Sequence, residues 1–291
     1  MRWKGREQSS NVEDRRGMSP KMAMGGGGGL ILVIVVLLLR QLGAPPEVEN
    51  LARQIVEQRQ QAAPAGGNAE GVDDEAKEFV SVVLADTEKV WSQLFAEHVS
   101  GGGYKEPQLV LYRQGTKTGC GFGSAEMGPF YCPRDQTIYV DPSFFNELAE
   151  RHRAPGDFAQ AYVIAHEVAH HVQRLLGFSD PVDEARQSGD KTLINQMSVR
   201  LELQADFLAG VWAHHADKHF NILEAGDVEE AIRAANQIGD DTLQKEATGR
   251  VIPERFTHGT SKQRAKWFRL GQTSGRLEDA VKLFEEPYDR L

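Results

Sequence analysis

The sequence predicts an α+β protein, mostly helical with a small sheet, preceded by one N-terminal transmembrane helix. Three observations carry this. Apolar residues recur at three- and four-residue steps over residues 76–95, and helical patterns return from Pro142 onward. Two short β-rich runs, residues 108–112 and 137–141, are bounded by turn residues. Ten consecutive apolar residues, 30–39, follow a glycine run near the start of the chain. Composition excludes other classes. At 40% hydrophobic the 291 residues are too apolar for a disordered chain. A mean hydropathy of −0.45 is too polar for a polytopic membrane protein. Two cysteines cannot staple a disulfide scaffold, and a net charge of −9 does not suit a nucleic-acid partner.

The charge is unevenly placed. The −9 divides into +4 on residues 1–46 and −13 on the remainder. Residues 1–21 form a basic head with Arg2, Lys4, Arg6, Arg15, Arg16 and Lys21. Residues 22–42 are read as the anchor; the uncharged stretch from Met22 to Leu39 reaches about the lower limit for a span. The rivals are a buried core strand and a cleaved signal peptide. Ala44-Pro45-Pro46 offers no good cleavage site, so the anchor is read as uncleaved. The positive-inside rule places the head in the cytoplasm and the acidic body beyond the membrane.

Residues 43–71 read as a stalk and a Pro/Gly linker, and residues 72–291 as the domain. Its first helix carries Ala76, Phe79, Val80, Val83, Leu84, Val90, Trp91 and Leu94, and Gly101-Gly102-Gly103 ends it. The strand around Ile138–Val140 is expected at a sheet edge. Between the two strand runs lie Cys120 and Cys132. In an oxidising compartment they form one disulfide; two buried free thiols are the alternative. Helices are expected near Phe144–Ala149, over residues 157–176 with Gly177 as a stop, and over 190–215, with an intervening loop at 178–189. Three or four shorter helices follow, up to Phe284.

The chemistry sits in His166-Glu167-Val168-Ala169-His170. Two histidines four apart project from one helical face toward one point, where they can bind Zn²⁺. Glu167 lies beside that point and can take a proton from a zinc-activated water. The bland alternative is a pair of satisfied core histidines with an exposed glutamate. A catalytic zinc needs a third protein ligand. Glu202 on the next long helix is the candidate, with Asp206 one turn later to accept the free N–H of a ligand histidine. Ala209 and Gly210 are expected to let that helix approach the motif helix closely. His171 points about 100° away from His170 and cannot share the metal. His214, His215 and His219 suit a helix C-terminus, and His98 and His152 read as bland. His258 precedes a helix whose Thr260 and Gln263 are spaced as a capping box. It is a candidate oxyanion donor, and a turn histidine bonding backbone is the equal alternative.

Several segments resemble the bacterial neutral zinc metallopeptidase family. They are Gly119-Cys120-Gly121, Gly128-Pro129-Phe130-Tyr131-Cys132-Pro133, Ile138-Tyr139-Val140-Asp141, the stretch from His166 to Gln173, Glu202-Leu203-Gln204-Ala205-Asp206, Gly239-Asp240-Asp241 and Thr257-His258-Gly259-Thr260. The resemblance covers nearly the whole chain. It implies a zincin-like metallopeptidase domain acting on peptide or protein substrates. The Glu-x-x-x-Asp element also looks like that of thermolysin-type zincins, which supports Glu202 as ligand. The resulting expectation is a single-pass inner-membrane zinc peptidase, attached to the bilayer by its anchor. Its N-terminus would be cytoplasmic and its catalytic domain periplasmic or extracellular. Zinc would be held by His166, His170 and Glu202, with Glu167 and His258 catalytic and Asp206 behind the metal. Alternatives are a non-catalytic zinc-containing binding or chaperone-like module, and hydrolysis of a non-peptide amide.

Overall fold

The computed structural model describes residues 1–17, 74–101 and 103–291. Strand β1 (Val12–Asp14) belongs to the head. Helix α1 (Asp74–His98) is the amphipathic helix read from its apolar steps, with Val80, Val83, Leu84 and Trp91 fully buried. Then come β2 (Gln108–Leu111), the hairpin β3 (Gly115–Thr118) and β4 (Gly121–Ser124), β5 (Phe130–Cys132) and β6 (Thr137–Val140). The main sheet has the order β1-β2-β6-β5, with β1, β2 and β6 parallel and β5 antiparallel to β6. All four residues of β6 are buried. The edge expected at Ile138–Val140 is therefore corrected. A run of Thr, Ile, Tyr and Val buried on both faces suits an interior strand, and the edge beside it is the three-residue β5.

Eight helices follow: α2 (Ser143–Glu150), α3 (Asp157–Leu175), α4 (Asp180–Ser188), α5 (Lys191–Phe220), α6 (Asp227–Gln237), α7 (Asp240–Thr248), α8 (Ser261–Ser274) and α9 (Lys282–Glu285). The loop expected at 178–189 is instead helix α4. It has only Val182 and Ala185 to bury, too few apolar residues for a readable stripe. Asp190 caps α5 by accepting from the N–H groups of Thr192 and Leu193. The Thr260–Gln263 capping box at α8 is present as read. Helix α3 packs against α1, α5 and α6, so its apolar side is enclosed. Gly210 does serve close packing, but against α8 rather than α3. A Cβ there would strike the Phe268 carbonyl, and one on Gly271 would strike that of Phe207. Two backbones meet at these glycines because neither carries a side chain.

The described residues of the head pack on the body. β1 pairs in parallel with β2, Val12 opposite Leu109. Trp3 is buried edge-on against Phe79, their centroids 5.2 Å apart. Arg6 pairs with Asp86 at 2.7 Å, and Ser9 and Asn11 bond Glu88. The Arg2 N–H donates to the Ile222 carbonyl at 2.8 Å. The basic side chains read as a membrane-orienting cluster are partly spent on acids of the body. Among the described residues no helix is long and apolar enough to cross a membrane. The transmembrane helix of the expected fold thus has no counterpart there. The anchor at 22–42 and the stalk and linker at 43–71 lie outside the described residues. Cys120 and Cys132 are joined as a disulfide, tying the turn of the β3–β4 hairpin to the end of β5.

Candidate metal centre

Helix α3 supplies His166 and His170 one turn apart, and α5 crosses it to supply Glu202. The Glu202 Oε2 lies 3.2 Å from His166 Nε2 and 3.5 Å from His170 Nε2. The three donor atoms all lie within 4.8 Å of one another. Ligands about 2.0–2.1 Å from a tetrahedral zinc are about 3.3 Å apart, and both Glu202 separations match that spacing.

Hydrogen bonds behind the donors set the tautomers. His166 Nδ1 lies 2.9 Å from Asp206 Oδ1, and His170 Nδ1 lies 2.8 Å from Gln173 Oε1. A carboxylate and an amide oxygen can only accept, so both Nδ1 atoms carry a proton and Nε2 of each ring is the atom that faces the ion site. Gln173 is itself held, donating to the Leu201 carbonyl and to Gln204. Asp206 is fully buried and accepts from Tyr162 Oη at 2.5 Å and from Arg264 Nε and Nη2 at 2.8 and 3.0 Å.

The charges follow from these contacts. Burial opposes ionisation of Asp206, but Arg264 and His166 outweigh it and hold the carboxyl down to about 2. Burial likewise opposes the charged form of His166, yet Asp206 and Glu202 raise it to about 10. Glu202 is opposed by burial and held well below the usual carboxylate range by His170 and His166. Glu167 moves the other way: burial raises it, against the pull of the two histidines. The main chain of Tyr131 on β5 also pulls it down.

A cavity of about 530 Å³ opens over this cluster. Its lining includes His166, Glu167, His170, Glu202, His258 and Arg264. His258 Nδ1 lies 3.1 Å from Asp240 Oδ1, and Asp240 Oδ2 accepts the main-chain N–H groups of Thr257, His258 and Gly259. The first turn of α7 thus clamps the turn that carries His258. Burial opposes the charged form of His258, while Asp240 and Glu202 raise it. The His258 ring bonds the Asp240 carboxylate rather than backbone, and it lines the cavity.

The structure brings together every residue expected at the site: His166, Glu167, His170, Glu202, Asp206 and His258. Sequence reasoning missed Gln173, Arg264, Tyr131 and the role of Asp240. It also misjudged His152, which is buried and lines the cavity beside Glu147. Gln173 lies at i+3 from His170, a helical spacing that pointed to it. Arg264 is 58 residues from Asp206 in sequence, and no local pattern pairs them.

No solved structure matches the chain. "Uncharacterized protein YpfJ" of Escherichia coli (strain K12) is 49% identical over 284 residues, 94% of this chain and 96% of that protein. "Uncharacterized protein Rv2575" of Mycobacterium tuberculosis (strain ATCC 25618 / H37Rv) is 38% identical over 242 residues, 77% of this chain and 78% of that one. The family described as "Putative neutral zinc metallopeptidase" matches residues 1–281 and implies a zinc cofactor, in agreement with the donor geometry. The chain belongs to this neutral zinc metallopeptidase family.

Proposed function

We propose that the protein is a zinc-dependent peptidase that hydrolyses peptide bonds in protein or peptide substrates. The observation that carries this is the buried Glu167 carboxyl beside a three-ligand zinc site in an open cavity. A structural zinc site is closed by four protein ligands and has no use for such a carboxyl. When bound, zinc supplies Lewis acidity, polarising the scissile carbonyl and acidifying the attacking water. Glu167 takes the proton from that water and passes it to the leaving amine. Its raised carboxyl suits a group that must both accept and return a proton. His258, with Nδ1 on Asp240, presents Nε2 to the developing oxyanion. An extended substrate adds alongside β5, the edge strand next to Glu167. The disulfide supports an oxidising compartment for the body, head included.

The test is zinc content and cleavage of an unfolded protein, wild type against Glu167→Gln. Both forms should bind zinc, and the variant should lose about 10²–10⁴ in rate. Zinc in both with cleavage of no unfolded or peptide substrate by the wild type would falsify the peptidase reading in favour of a zinc-containing binding module.

A further inference from the structure

The metal helix carries a second pair of residues four apart that the proposed chemistry uses only in half. His166 and His170 form the metal stripe. Glu167 and His171 form the adjacent stripe, displaced by about 100° around α3. His171 is fully buried. Its Nε2 lies 2.6 Å from the Lys105 carbonyl oxygen, and its Nδ1 lies 3.0 Å from the Tyr131 hydroxyl. A carbonyl can only accept, so Nε2 carries the ring proton. Nδ1 is then a lone pair, and the Tyr131 hydroxyl donates to it. The rings of Tyr131 and Tyr104 stand edge-on to the imidazole, at 5.5 and 5.9 Å.

Helix α3 therefore holds Tyr131 by its hydroxyl, through His171, and Tyr131 lines the same cavity as Glu167. Tyr131 is the middle residue of β5, whose pairing among the described residues is with β6 alone. A three-residue edge strand has few ladder bonds to fix its position.

We propose that His171 is a positioning residue, setting through Tyr131 the distance and register of the edge strand β5 against the metal ligands and Glu167. The six-residue run His-Glu-Val-Ala-His-His then has two parallel tasks. One stripe holds the ion, and the next holds the strand along which substrate lies. The functional consequence rests on the peptidase reading; the clasp itself does not.

Two measurements test it. The first is hydrogen exchange at the amides of β5, residues 130–132, in the full zinc-loaded chain, which requires no catalysis. Tyr131→Phe and His171→Phe should each speed exchange by roughly five- to tenfold. His171→Gln should restore slow exchange, because a carboxamide can donate to Lys105 and accept from Tyr131. The second is peptide kinetics. Both Phe variants should raise KM by roughly fivefold with kcat nearly unchanged, as expected when a binding contact made equally in ground and transition states is lost. Zinc affinity should not move, and the double variant should be no worse than either single one. Wild-type exchange and KM in His171→Phe overturn the proposal. So does failure of His171→Gln to rescue, which would make the ring a packing element only. If the wild type cleaves nothing, the peptidase reading fails, and the exchange series still decides the clasp.

Discussion

Replacing Asp206 by asparagine separates the two tasks of the buried network. Asp206 accepts four hydrogen bonds, two from Arg264 and one each from Tyr162 and His166. The side chains of Asp206 and Arg264 are 0% and 4% exposed, so solvent cannot take over as partner. Loss of the charge leaves the guanidinium buried and uncompensated, a cost of about 3–5 kcal/mol. The depression of the Asp206 carboxyl from 3.8 to about 2 gives a second measure. It corresponds to about 2 kcal/mol of stabilisation of the ionised form, present above the unfolded pKa and lost as pH falls through about 2. In a domain of this size such a loss lowers Tm by about 10 °C.

Asparagine keeps one acceptor oxygen for His166 Nδ1–H but loses the carboxylate charge behind it. Zinc affinity should fall about 10–100-fold as the ligand loses basicity and its tautomer loses charged support. Urea unfolding of the metal-free protein and zinc competition with a chelating dye read the two effects separately. In Asp206→Asn/Arg264→Met the buried charge is gone, so much of the stability should return, while zinc binding stays weak. Stability within 1 kcal/mol of wild type together with unchanged zinc affinity in the single variant would refute the reasoning. Zinc affinity restored in the double variant would show that misfolding, not the tautomer, weakened the site.

Other outcomes follow from the same coordinates. Asp240→Asn and His258→Ala should each lower kcat by about 10²-fold or more while zinc content is unchanged, measured on a peptide substrate. Asp86 is raised to about 6, chiefly by burial against the opposing pull of Arg6, and its Oδ2 has no hydrogen-bond partner. Its folded-state pKa exceeds the unfolded value of 3.8, so its stabilising contribution is complete below about 4 and is lost as pH rises through 6. Asp86→Asn should remove about 1.4 kcal/mol of pH dependence between pH 5 and 7.5, read as urea midpoints at those two values. Gln108 donates to Asn11 at 3.0 Å, so Asn11→Cys with Gln108→Cys should cross-link under mild oxidation in intact cells. A head held across a membrane from the body would give no such bond.

Local patterns determined much of this protein. The four-residue spacing of His166 and His170 fixes a shared helical face, and that face became the metal stripe. Glu202 and Asp206 repeat the spacing on α5, and one reaches the ion site while the other supports His166. Such statements need only the periodicity of a helix, so the sequence carries them. The capping box at Thr260 is legible for the same reason, because its partners are three residues apart.

What the sequence could not decide are pairings across long separations. The head's basic side chains matched a membrane signal by composition, yet Arg6 meets Asp86 and β1 meets β2 only in the fold. Residues 138–140 read as a strand but not as an interior one, since that depends on which strands lie beside it. The contact of His171 with Tyr131, the Arg264–Asp206 pair and the Asp240 clamp on His258 join residues far apart in the chain. Hydrogen bonds and ion pairs are short-ranged, so their partners are chosen by where packing brings the backbone. The sequence named the candidate metal ligands, and tertiary structure decided what holds them and what strand lies against them.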